Sequence, residues 1–142
     1  MGPIEMGLES LGLVMVALLF GSMVFFSGVM APLMFIELGV DTAGRLVRRV
    51  FPWYFLLIGV AALIAALCLF GRATEVAWIM TGVLAGAVIS RQVLMPGINR
   101  SRDLASSGDR AAARRFDRLH RASVVINGAQ ILATLVALIL LA

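Results

Sequence analysis

Apolar residues along this chain gather into four long runs, roughly 8–35, 51–70, 76–95 and 122–141, with short polar stretches between them. A run of about 20 apolar residues in helical form spans a hydrocarbon core of about 30 Å. The pattern therefore predicts an all-α fold, an integral membrane four-helix bundle. It forms one four-span transmembrane domain over residues 1–142. The leader carries Glu5 and Glu9 where a cleavable signal would carry Lys or Arg, so the first helix is expected to be retained.

The polar stretches predict the boundaries. Pro32 is expected to kink or end the first helix. Asp41 is the expected N-cap of an amphipathic segment, 42–50, lying at the headgroup surface. Phe51-Pro52 is expected to turn the chain into the bilayer, with Trp53 and Tyr54 as interfacial aromatics. Pro96-Gly97 marks the expected end of the third span. Ser106-Ser107-Gly108-Asp109 reads as a turn with Asp109 as the next N-cap. A last helix from 109 to 141 would be on the order of 50 Å long, longer than the core it crosses. Its first turns should form a charged helical stalk between the third and fourth spans, with Asp117 pairing with Arg114 or Arg121.

Charge orients this frame. All twelve strongly basic residues are arginines, and only Arg72 lies in the second link. The others follow the first and third runs. By the positive-inside rule both arginine-rich links and the stalk face the cytoplasm and both termini face outside. The reading is a multi-pass protein of a cell membrane, a bacterial inner membrane, with the lipid bilayer as its first partner. A net charge of +4 confined to span flanks calls for no nucleic acid.

Candidate chemistry is sparse. His120, Ser123, Asn127, Gln130 and Thr134 fall on one face of the last helix, extended by Phe116. Polar groups are costly against lipid, so this face should point into the bundle. It serves either as hydrogen-bonding glue or as a pocket open to the cytoplasmic leaflet for a small amphiphile, lipid or solute. Arg91 either snorkels to the headgroups or turns inward near His120 to meet an anion. Gly82, Gly86 and Ser90 form a small-residue stripe on the third helix, for packing within the bundle or against a second copy or a larger membrane complex.

No cofactor is called for. The rival reading is a redox protein, with haem on His120 and a methionine, or copper on Met23, Met30 and Met34, which lie within about 40° on a helical wheel. Methionines at such spacing also fill cores. The lone Cys68 excludes an intrachain disulfide. No paired carboxylates, Walker loop, dinucleotide fingerprint or HExxH motif is present, so the expected role is non-enzymatic.

Three stretches carry a resemblance. They are Phe26-Ser27-Gly28 through Gly44 to Phe51-Pro52-Trp53-Tyr54-Phe55, then Arg91 to Pro96-Gly97, then Phe116 to Ser123 followed by Asn127. In this order they resemble the transmembrane protein 205-like family, also catalogued as domain of unknown function 4149. The resemblance implies four spans and a membrane location. It marks Pro52, Tyr54, Pro96, His120, Ser123 and Asn127 as motif positions, and it supplies no reaction and no catalytic residue.

Overall fold

The computed structural model describes residues 2–142. The described chain is helical, with no strand: α1 (Pro3–Phe25), a π-helical turn (Phe26–Met30), α2 (Ala31–Leu69), α3 (Thr74–Ile89), a second π-helical turn (Ser90–Leu94), α4 (Met95–Ser106) and α5 (Arg110–Leu141). These join into three helical runs long and apolar enough to cross a membrane: Pro3–Leu69, Thr74–Ser106 and Arg110–Leu141.

Chain reversals fall at the three glycines with positive φ, Gly39 (70°), Gly71 (78°) and Gly108 (97°). Contacts close almost symmetrically about each. Gly12 abuts Leu69 and Phe26 stacks on Tyr54, so the first run folds back at Gly39. Gly59 meets Leu84 across the Gly71 reversal, and Gly97 meets Leu119 across Gly108. At Gly39 the backbone also has ψ 163°, a region open essentially to glycine alone. At Gly108 the Asp109 amide donates to Leu104 O at 3.3 Å and the Gly108 amide to Ala105 O at 3.0 Å, a Schellman closure of α4. Asp109 Oδ1 then accepts from the amides of Ala111 (2.8 Å) and Ala112 (3.0 Å) and starts α5, as its sequence position predicts.

Four expected boundaries are corrected. The first helix does not end at Pro32 and the third does not end at Pro96-Gly97; both continue past the proline. A proline lacks the N–H for the i−4 carbonyl, and its ring crowds that carbonyl. Here each π turn contains that position, Gly28 for Pro32 and Gln92 for Pro96, and widening the turn makes room for the ring. Asp41 does not cap a new helix, because the break comes two residues earlier at Gly39. Phe51-Pro52 is no turn: α2 runs straight through Pro52, held by Phe51, Tyr54 and Phe55 packing on one another and on Phe26. The ion pair expected of Asp117 is also replaced. Among the described residues the salt bridge is Arg48–Asp103, which straps α2 to α4.

The core runs along α2, where Ala61, Ala62, Ala65 and Ala66 are buried and bring α1 and α3 close. Outward positions are large and apolar, among them Leu18, Phe25, Leu57, Leu67, Val88, Leu132 and Ile139. That inversion suits lipid rather than water.

Candidate functional site

A cavity of about 680 Å³ opens at the end of the molecule that carries the Gly39 and Gly108 reversals. Its walls come from the first π turn (Phe26, Ser27), from α2 (Phe35, Val40, Gly44, Val47, Phe51, Phe55), from α4 and from α5. On α4 the lining residues Met95, Ile98, Asn99, Arg102, Ala105 and Ser106 recur at helical spacing. On α5 Ala113, Phe116, Asp117, His120, Ser123, Val124 and Asn127 do the same. The interior is mainly aromatic and aliphatic. Arg48, Arg102, Asp117 and His120 supply charge and polarity nearer the α4–α5 turn.

The polar line expected on α5 divides in two. His120, Ser123 and Asn127 line the cavity, while Gln130 and Thr134 do not. His120 is exposed and stacks on Phe116, one turn earlier, at 5.7 Å between centroids. Asn127 joins three segments. Its Oδ1 accepts from the Tyr54 hydroxyl at 2.8 Å, and its Nδ2 donates to Ser27 Oγ at 2.8 Å. Gln130 is buried against α3, where Nε2 donates to Val83 O at 2.8 Å and leaves Oε1 without a partner. The Thr134 hydroxyl donates back to carbonyls of its own helix, Gln130 O and Ile131 O.

Arg91 does not line the cavity. It is half-buried, and its Nε donates to the Pro52 carbonyl at 3.1 Å, tying the second π turn to α2. Gly86 lies against the Gln130 amide, whereas Gly82 is exposed over open space. Met23 and Met34 are buried, Met30 is half-buried, and none of the three lines the cavity. Among the described residues no three His, Cys, Asp or Glu side chains are grouped to hold a metal ion.

Two cations escaped the reading from sequence. Arg48 and Arg102 counted there only as topology signals, yet both line the cavity. The signal was the α4 periodicity that puts Arg102 on the face of Met95 and Ile98. Arg48 is bidentate to Asp103, with Nη1–Oδ1 at 2.9 Å and Nη2–Oδ2 at 2.6 Å. Those donated bonds hold the Asp103 carboxyl below its usual range and raise the Arg48 guanidinium. A depressed carboxylate contributes stability above its unfolded pKa and loses it as pH falls through the folded one. Acidification through the carboxylate range should therefore loosen α4 from α2. Amide protection factors in α4, taken against intrinsic exchange at each pH, are expected to fall at low pH in the wild type, and Asp103→Asn should show that lower protection already at neutral pH.

A family model described as Domain of unknown function (DUF4149) matches residues 14–107, which runs from the middle of α1 through α4 and leaves out nearly all of the α4–α5 turn and α5. Neither the curated proteins nor the solved structures contain a significant match.

Proposed function

The chain belongs to the DUF4149 family, whose domain carries no assigned function, and from that premise we propose a four-span membrane protein that binds a small amphiphile or helps to move one. The observation that carries this reading is the 680 Å³ cavity, with apolar walls and its polar groups gathered at one end. Pockets of this size and lining enclose small organic ligands. Phe35, Val40 and Val124 are exposed apolar residues at its margin and suit entry from lipid. Its test is mass spectrometry of small molecules copurified with the wild type and with Ala105→Trp or Ala113→Trp, each of which puts an indole into the cavity. Loss of one amphiphilic species in both folded variants is the expected result. An unchanged lipid profile would contradict the reading.

The three chain reversals support a reading of four crossings, and the arginine distribution supports their direction. In this topology both termini lie outside and the cavity faces the cytoplasm. Trp53 and Trp78, both exposed, mark the two interfaces. With Cys68 replaced by Ala, a cysteine introduced at Thr74 should react with an impermeant thiol reagent in intact cells. One at Ser107 should react only after lysis. Labelling at 107 in intact cells would invert the topology.

One observation favours a second reading. His120 and Met95 line the same cavity, and a His/Met pair is a known axial set for haem. A Soret band in the purified protein that disappears in His120→Ala would place haem ahead of the amphiphile.

A further inference from the structure

We propose that the amphiphile carries an anionic headgroup, seated on the guanidinium of Arg102 where it crosses Gly44; this rests on the amphiphile reading above. The Arg102 guanidinium lies so close over Gly44 that any side chain there would collide with it. Glycine at that position lets a bulky cation lie in the cavity wall. Arg102 is half-buried and, among the described residues, makes no hydrogen bond or ion pair. The adjacent carboxylate, Asp103, is near enough to feel its charge but gives both oxygens to Arg48. Asp117, the carboxylate that lines the cavity, is exposed and forms no ion pair with Arg102.

The Arg102 guanidinium lines the cavity without a protein partner, and its planar fork matches a phosphate or carboxylate. Anion binding would supply the missing bonds, strengthened by the reduced polarity of the cavity. Phe51, Phe55, Ile98 and Phe116 surround the space beyond it and would take the alkyl chain. A free anion would leave that apolar space unfilled.

The test is equilibrium binding to the full chain in phosphatidylcholine nanodiscs, with empty discs as background. The probes are dodecyl phosphate, dodecan-1-ol and inorganic phosphate. Dodecyl phosphate is expected to bind about tenfold or more tighter than dodecan-1-ol. That preference should fall to within about twofold in Arg102→Gln, with dodecan-1-ol binding unchanged. Gly44→Ala keeps the charge but displaces the guanidinium, and should reduce the preference as well. It also serves if Arg102→Gln fails to fold. Equal binding of dodecyl phosphate and dodecan-1-ol by the wild type would overturn the headgroup assignment and leave the amphiphile reading standing. Binding of neither would overturn both. Inorganic phosphate binding as tightly as dodecyl phosphate would make this a plain anion site and defeat the amphiphile reading.

Discussion

Replacing Asn127 by leucine is expected to destabilise the protein by about 1–3 kcal/mol, measured as resistance to unfolding in mild detergent. One amide links three segments: it accepts from Tyr54 on α2 and donates to Ser27 in the first π turn. Its removal takes the shared partner from the Tyr54 and Ser27 hydroxyls in a half-buried apolar setting, where an unmade bond costs more than the bond itself contributes. Tyr54→Phe alone should cost less, because Asn127 keeps Ser27. The two changes should be non-additive, with a coupling of about 0.6 kcal/mol, the average for hydrogen bonds between membrane helices, and at most about 1.7 kcal/mol. Additivity would mean that the Tyr54–Asn127 bond contributes nothing. The same bond orients the cavity's inner end, so the variant is also expected to bind ligand more weakly.

The second large effect separates two glycines that look alike in sequence. An alanine at Gly86 would put its Cβ 2.8 Å from Gln130 Nε2 and 3.2 Å from Cδ. Gln130 is buried and bonded to Val83 O, so it can yield only by breaking that bond. Gly86→Ala should therefore cost about 1–3 kcal/mol, as overpacking does, with a lost hydrogen bond added. Gly82→Ala meets nothing within 4 Å and should be neutral or slightly stabilising, since alanine is the better helix former. Equal effects at the two positions would contradict the α3–α5 packing described above.

These residues show what the sequence discloses and where it stops. Hydropathy made the helices legible, and Gly108-Asp109 made the α4–α5 turn legible, because a positive-φ glycine followed by a capping carboxylate is a local signal. Pro32, Pro52 and Pro96 misled as boundaries. Whether a proline ends a helix depends on a π turn before it or on aromatic packing around it, and neither is a local property. Gly39 carried the reversal instead, in a conformation that no neighbouring residue announces. On α5 the 3–4 spacing placed Asn127 on an inward face. That Gln130 meets α3 while His120 reaches the cavity depends on which helix stands opposite. Arg102 was hidden by abundance: among twelve arginines, only the partner helix distinguishes a cavity cation from a topology signal.

Photo-crosslinking locates bound amphiphile most directly. A photoactivatable long-chain amphiphile, irradiated with the protein in nanodiscs and mapped by peptide mass spectrometry, should label the cavity walls, above all Phe51, Phe55, Met95 and Phe116. Ala105→Trp should remove that labelling and spare the background on lipid-facing positions such as Leu132 and Ile139. Labelling spread over the lipid-facing positions alone, and unaffected by Ala105→Trp, would show that the cavity holds no amphiphile.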